Sequence, residues 1–480
     1  MDRRSQRERR GSTLSERGEA PALLRAALGE QPCWVVGGAV RDRLRGVADI
    51  EDFDLVLAGD VAAAARRLAR TADAVAFVLS EEFGAWRVVA RSGSWQADLN
   101  PLRGDRIEAD LALRDFTINA IAEPLGGGPL VDPLGGGRDL ELGRLRLAAP
   151  DSLSADPLRA MRLVRLACEL ALEPDGDARR AASSVAPRLS EVAAERVYAE
   201  LRRILASERA PAGVRMLLEL GLAAVVLPEL DALSGIGQSH FHHLDVGEHT
   251  LEVLSELLEL ERDPAGVFGA ATAIKIDALL GEPLADELDR GSALRFGALL
   301  HDIAKPVTRT VAADGRVGFP HHDEEGARIS RVILGRLRAS ERVQSHVAAL
   351  TAHHLRLGFL VHRRPLSRAD LYGYLDACGP VAADVTLLSV ADRLATRGAR
   401  ATPSIEGHLE LAREIIDEAL RWHVEGHPRP PLRGDELAAA LGLAPGPRVG
   451  ELLAVVTQAS FTGEVQTPED AIAYARTKIA

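Results

Sequence analysis

Val36-Gly37-Gly38-Ala39-Val40-Arg41-Asp42, followed shortly by Glu51-Asp52-Phe53-Asp54-Leu55-Val56, is the part of this 480-residue chain that decides its fold. The apolar run Cys33–Val36 leads into the glycine pair, Val40–Leu44 has the composition to start a helix, and Phe53–Leu57 is a second apolar run. The order implied is strand, turn, helix, strand. Two glycines at a strand-to-helix turn let backbone N–H groups approach a triphosphate, and the start of a helix adds positive potential there. Asp52 and Asp54, two apart on a strand, point to one face and are placed to share divalent cations. Asp98, on the later apolar run Trp95–Leu99, is a candidate third carboxylate. Such a site suits attack of a hydroxyl on a triphosphate with pyrophosphate leaving, because phosphoryl transfer depends mainly on positioning and charge neutralisation. Taken singly, a Gly-Gly pair is an ordinary turn and each aspartate an ordinary strand residue; the combination carries the reading.

Working outward, Ala62–Arg70 has helical period, while Ala74–Leu79, Ala85–Ala90 and Trp95–Leu99 are short runs fit for further strands of a mixed sheet. The glycine-rich segment Gly126–Gly137 closes this region. Beyond about residue 150 the period is almost wholly helical, as in Asp156–Leu172 and in Ser190–Leu205, where Ser190 before Glu191 reads as a capped start. Eleven of the 14 histidines, including His240, His242, His249, His301, His321, His322, His353 and His354, fall between residues 240 and 362, which suggests a metal site. The last segment, from residue 430, reads as small helices broken by Gly442, Pro445, Gly446 and Gly450.

Composition sets limits. The chain is 46% hydrophobic and 27% charged, an ordinary globular balance, and no apolar run of about 18 residues predicts a membrane span. A net charge of −12 argues against indiscriminate coating of nucleic acid, which needs clustered Lys and Arg, and leaves room for a local basic groove. Cys33, Cys168 and Cys378 lack metal-ligand spacing and are odd in number, so no disulfide framework is expected. The arginine-rich start has no apolar stretch after it of the kind a secretory signal carries, and a cytoplasmic location is expected.

The glycine turn with Arg41-Asp42, the Asp-Phe-Asp at 52–54, Leu113-Arg114-Asp115-Phe116-Thr117-Ile118-Asn119-Ala120, Asp132-Pro133, Gly136-Gly137, and Asp156-Pro157-Leu158-Arg159-Ala160-Met161-Arg162 occur in one order over about residues 33–205. In this they resemble the class II tRNA nucleotidyltransferases and bacterial poly(A) polymerases, whose head belongs to the DNA polymerase β superfamily. Gly442–Gly450 also looks like that family's tail. The resemblance implies an α+β polymerase β-like nucleotidyltransferase head, a mixed sheet with helices, followed by an all-α neck, body and tail. It implies that Asp52 and Asp54 hold catalytic Mg2+, with Asp98 kept as a candidate third catalytic carboxylate; that Gly37, Gly38 and Arg41 bind triphosphate; and that Arg114 and Asp115 recognise ribose, with Asn119 and Arg162 also in the nucleotide site. Asp156 and Arg159, which at i and i+3 would share a helix face, would template the incoming base, a carboxylate and a guanidinium pairing with the edges of cytosine or adenine.

Two positions depart from the family pattern: Ala155 replaces a glutamate and Leu113 an arginine. The segment between Asp98 and Arg114 is short, and in the family a shortened loop here is a feature of enzymes that add only CC. The activity implied is therefore CCA addition to the tRNA 3′ end from CTP and ATP, with CC-only addition as the runner-up. Poly(A) addition is a weaker alternative, because the chain end lacks a strongly basic tail.

His249, His301-Asp302 and Asp392 give the order His, His-Asp, Asp, which resembles the HD-domain phosphohydrolases. The resemblance implies a divalent transition metal on His249, His301, Asp302 and Asp392. His322 (rival His321) and His354 (rival His353) are candidates for a second ion, and a bound water would attack a phosphate ester. A chain that is mainly an HD phosphohydrolase is the alternative from a different class. The expected organisation is a disordered tail over 1–20, the head over 21–148, a helical neck and body over 149–235, an HD domain over 236–405, and a helical tRNA-binding tail over 406–480.

Overall fold

The computed structural model describes residues 20–238, 243–397 and 401–479; the tail expected before Ala20, and His240 and His242 of the histidine cluster, lie outside the described residues. The chain forms two compact units. The first runs to Val192 and includes Leu220–Leu222; the second holds Ala193–Glu219 and the chain from Ala223.

The first unit is built on a six-stranded mixed sheet: β1 (Cys33–Val36), β2 (Asp52–Leu57), β3 (Ala74–Ser80), β4 (Ala85–Ala90), β5 (Gln96–Pro101) and β6 (Ala122–Pro124). Their order is β3-β4-β5-β2-β1-β6, with β2 and β5 parallel and the other neighbours antiparallel. Alternation along the strands sorts the side chains. Phe53, Leu55 and Leu57 of β2, with Val88, Ala97 and Leu99, are buried against the helices Ala20–Leu28 and Val61–Thr71. The second of these is capped by Asp60, which accepts from the Ala63 amide at 3.0 Å. The opposite face is covered only at one end, where the helix Ile107–Ala112 packs Ile107 and Leu111 on Val36, Val56, Ala120 and Ala122. The rest of that face carries Asp52 and Asp54. Gly136 opens the helix Gly136–Glu141, and a Cβ there would lie 2.0 Å from the Thr117 carbonyl oxygen, so no larger residue fits.

Two expectations need correction in this unit. Asp156 is not on a helix face with Arg159: it has extended backbone between the helices Ser152–Ala155 and Leu158–Leu170. Ser190 does not cap a helix, because it lies in the 3-10 turn Ala186–Glu191. The region after residue 150 is almost wholly helical, as expected, apart from strands of two or three residues such as Glu173–Pro174, which pairs with Arg144–Leu145.

The second unit is helical. Helices Val246–Arg262, Arg290–Leu300, His322–Arg336, Glu341–His353 and Ala382–Ala395 form its centre. Arg290 and Asp384 are both buried and joined by hydrogen bonds of 2.7 and 2.6 Å; Arg295 and Glu261 form a second buried pair at 2.6 Å. Such bidentate geometry, with further bonds from Arg290 to the Pro380 carbonyl and from Arg295 to the Leu205 and Ser207 carbonyls, offsets the cost of burying these charges. By length and composition the stretch Arg368–Ala395 is apolar enough to cross a membrane, but 78% of its most apolar window is buried and it is two helices separated at Gly379-Pro380. Leu432, Leu437, Leu452, Val456 and Val465 make a separate core for the last helices. Gly450 does not break a helix as expected but sits inside Pro447–Thr462.

Candidate active site

Gly37 ends β1 with φ 71° and ψ −134°, a conformation essentially confined to glycine, and the helix Gly38–Leu44 starts immediately after it. The turn is tight for a second reason: a Cβ on Gly37 would lie 3.0 Å from Asp54 Oδ2 and 3.2 Å from an Arg114 terminal nitrogen. The glycine, the carboxylate and the guanidinium thus meet at one corner. β-register fixes the carboxylates. Asp54 pairs with Val36 on one side and Asp98 on the other, and Asp98 pairs with Arg87. These side chains form one row on the open face of the sheet, since directly opposed residues share a face. Asp52 pairs with Gln96 in the next row.

Each carboxylate is held differently. Arg87 donates to both oxygens of Asp98, Nε to Oδ1 at 2.7 Å and a terminal nitrogen to Oδ2 at 2.8 Å. Gln96 donates to Asp52 Oδ1 at 2.6 Å. Asp54 keeps an exposed edge, but burial of its carboxyl, with Asp98 and Asp52 close by, pushes it above the usual carboxylate range against the pull of Arg114 and Arg162. A crowded acidic pair of this kind is a donor set that suits a hard divalent cation.

Beside the row, four of the sequence-derived residues are linked in one chain of hydrogen bonds. Arg41 donates to Asn119 Oδ1 at 2.8 Å, Asn119 donates to Asp115 Oδ1 at 3.0 Å, and Arg162 donates to Asp115 Oδ2 at 3.1 Å. Burial raises the Asp115 carboxyl, but Arg162, Asn119 and the Phe116 amide outweigh it and hold it below its ordinary value. The Arg159 guanidinium donates to the backbone carbonyls of Leu113, Arg114 and Ser152 at 3.1, 3.3 and 3.0 Å. Asp110 is buried and accepts from Arg103 at 2.8 Å and from Arg114 at 3.4 Å, pinning the connection Leu102–Arg106. Arg87, Gln96, Asp110 and Ser152 were not singled out by sequence; Arg87 and Gln96 show themselves only once strand register is known, and Asp110 by its i,i+4 spacing to Arg114.

In the helical unit, His249, His301 and Asp392 form one group with ligand atoms within 4.8 Å of each other, and Asp302, His322 and His354 form another. The buried member of each adjacent pair is His322 rather than the exposed His321, and His354 rather than His353. Nδ1 of His301, His322 and His354 faces a backbone carbonyl, of Ala298, Phe319 and Thr351, at 2.7–2.8 Å. Nε2 of all three is buried and without a hydrogen-bond partner. Orphaned imidazole nitrogens turned into a cluster with two carboxylates are what a divalent ion requires, and these residues fit one. Burial drives His354 down to about 4, keeping it neutral, while His301 and Lys305 hold Asp302 well below the carboxylate range despite its burial. The cluster opens on a cavity of about 200 Å3 lined by Gln238, Lys305 and Phe319 among others.

A glycine turn, carboxylates two apart on the adjoining strand and an arginine-rich corner on a mixed sheet define a nucleotidyltransferase head. Sequence families agree: the Poly A polymerase head domain matches residues 33–146, the probable RNA- and SrmB-binding site of polymerase A matches 172–233, and the HD domain matches 246–397. The chain is 41% identical to an A-adding tRNA nucleotidyltransferase of Deinococcus radiodurans over 92% of this chain and 94% of that one. It is 35% identical to a CC-adding tRNA nucleotidyltransferase of Thermus thermophilus over 92% of each. Its fold matches a Thermotoga maritima CCA-adding enzyme solved with tRNA, with TM-score 0.60 and 18% identity over 98% of this chain and 97% of that one. The chain belongs to the tRNA nucleotidyltransferase family and is an enzyme of that class.

Proposed function

We propose that this chain builds the CCA terminus of tRNA from CTP and ATP without a nucleic-acid template, in the cytoplasm, and that its parts divide as head (21–148), neck and body (149–235), HD domain (236–405) and tRNA-binding tail (406–480). The observation that carries the reading is the corner where Gly37, Asp54 and Arg114 meet beside the linked Arg41, Asn119, Asp115 and Arg162. In this reading Asp52 and Asp54 would hold Mg2+, which when bound neutralises phosphate charge and makes the RNA 3′ hydroxyl a better nucleophile. The Gly37-Gly38 turn presents backbone N–H groups to the triphosphate. Arg41 adds positive charge at the leaving pyrophosphate, which the reaction needs because its transition state gathers charge on the phosphoryl oxygens, and Arg114 lies with Asp115 toward the ribose. Asp115, fixed by Asn119 and Arg162, accepts from the ribose. Asp156 and Arg159 would meet the base edge from different elements, Asp156 from the extended residue before the helix and Arg159 from a guanidinium anchored on the Leu113, Arg114 and Ser152 carbonyls. His249, His301, Asp302 and Asp392, with His322 and His354, would hold a divalent transition metal that supplies an activated water for phosphoester hydrolysis.

A narrower reading, addition of only part of the terminus, is favoured by two observations. Three relatives that match nearly end to end are named for adding A or CC alone, and Leu102–Arg106 is pinned by Asp110. Incubation of tRNAs ending before C74, after C75 and after A76 with CTP, ATP or both, followed by sequencing of the product ends, separates the cases. Extension by CCA supports the first reading; termination after CC, or extension only of CC-ended tRNA, supports the second. The Asp52→Ala variant is expected to incorporate nothing, and incorporation at the wild-type rate would overturn both.

A further inference from the structure

The two edges of the head's sheet are protected very differently. At one edge β6 is three residues long, carries Glu123, ends at Pro124 and is bridged by Val131. Short length, charge, proline and a covering segment are the usual means of keeping a strand edge from pairing with another chain. At the other edge β3, Ala74-Val75-Ala76-Phe77-Val78-Leu79-Ser80, has no charged residue and no proline. Its register against β4 shifts between Val78 and Ser80, which leaves Ala74–Val78 a regular strand. Val75, Phe77, Val78 and Leu79 are exposed at 43–45%, and Phe83 in the following turn at 67%. Among the described residues no other stretch of this length leaves as many large hydrophobic side chains exposed. The ends of the strand differ in charge. Arg70 comes before it, in the last turn of the helix Val61–Thr71, and Arg91 lies 3.2 Å from Asp73; the turn after it carries Glu81-Glu82.

We propose that β3 is the interface for a second copy of this chain, the two strands pairing antiparallel about a two-fold axis at Ala76. That register opposes Ala76 to itself and sets Val75 of each copy against Phe77 of the other, an aromatic and β-branched pair on each side of the axis. It also brings the acidic turn Glu81-Glu82 of each copy to the basic end of the other, at Arg70 and Arg91, whereas parallel pairing would set like charge on like. Residues 1–19 are not the occupant, because Met1 and Leu14 are their only large apolar side chains. The five exposed side chains amount to about 400–500 Å2 per copy, so the pair buries on the order of 1,000 Å2, the lower bound for a specific interface, and the dimer is reversible. Because the axis stands perpendicular to the sheet, the faces that carry Asp52 and Asp54 in the two heads open on the same side of one continuous sheet.

Sedimentation velocity of the full chain from low to high micromolar concentration tests the proposal, with a monomer–dimer equilibrium expected for the wild type. Val78→Lys places a charge on the edge and is expected to weaken dimerisation about tenfold or more. Two further variants change only exposed charges: Glu81→Arg/Glu82→Arg makes both ends basic, and Arg70→Glu/Arg91→Glu makes both acidic. Each is expected to be monomeric alone, and an equimolar mixture to form the heterodimer, since both contacts between opposite charges are then restored. Circular dichroism of every variant confirms that the head is folded. A wild type that stays monomeric, a dimer untouched by Val78→Lys, or folded charge variants that remain apart when mixed overturns the proposal. Binding of wild type, and not Val78→Lys, to tRNA or to phosphatidylglycerol vesicles without self-association would give the strand to those occupants instead.

Discussion

Replacing Gly37 by alanine should disable the head far more than the same change at Gly38, one residue later. At Gly37 the backbone has φ 71° and ψ −134°, so any Cβ is strained, at a cost of about 1–3 kcal/mol. The new methyl also has nowhere to go: 3.0 Å from Asp54 Oδ2 and 3.2 Å from Arg114, it forces the carboxylate or the guanidinium to give by a few tenths of an ångström. Misplacement of reacting groups by about 1 Å costs roughly a hundredfold in rate, so a smaller shift of a metal-binding carboxylate should lower incorporation by about 10- to 100-fold. At Gly38 the methyl would meet only Arg41 at 3.5 Å, an ordinary contact with a flexible side chain, and incorporation should stay within about threefold. The assay is single-turnover incorporation of labelled CMP or AMP, with thermal denaturation of both variants; Gly37→Ala should lose about 2–4 °C per kcal/mol of strain in a unit of this size. Equal activity in the two variants would refute the reasoning, since it would mean that the close approach of Asp54 to the turn does not matter.

Arg290→Met should destabilise the helical unit by about 3–5 kcal/mol, because it leaves Asp384 charged and buried; the double variant Arg290→Met/Asp384→Leu should recover much of that loss in chemical denaturation. For Asp115 the sign follows from a folded carboxyl held below its ordinary value: it stabilises above the unfolded pKa of about 3.9, and that contribution fades as pH falls through the folded value. The stability gap between wild type and Asp115→Asn should therefore be constant above about pH 5 and close in more acidic solution; a gap that widens on acidification would contradict the Arg162 and Asn119 contacts.

Strand positions in the head were legible because short apolar runs bounded by glycine and polar residues have few alternatives: Cys33–Val36 and Ala85–Ala90 fall as the pattern predicts. Register was not legible. Nothing in the linear spacing of Arg87, Asp98 and Asp54 says that they share a row, because that depends on β5 lying parallel to β2 with β4 outside it. The choice between His321 and His322 was likewise invisible in the sequence, since adjacent histidines have the same chemistry and only the entry angle of the helix His322–Arg336 decides which one is buried. Asp156 was misread because its proline neighbour disfavours helical backbone at the preceding residue, which a spacing argument ignores. Ser190 is not a cap because it lies within the 3-10 turn Ala186–Glu191, and the helix that follows starts at Ala194 without a side-chain cap.

The buried carboxylate of Asp110 grips Arg103 at the foot of the short connection and Arg114 beside the Gly37 turn. The connection and the corner are therefore coupled through a single side chain, so a displacement of either is felt by the other.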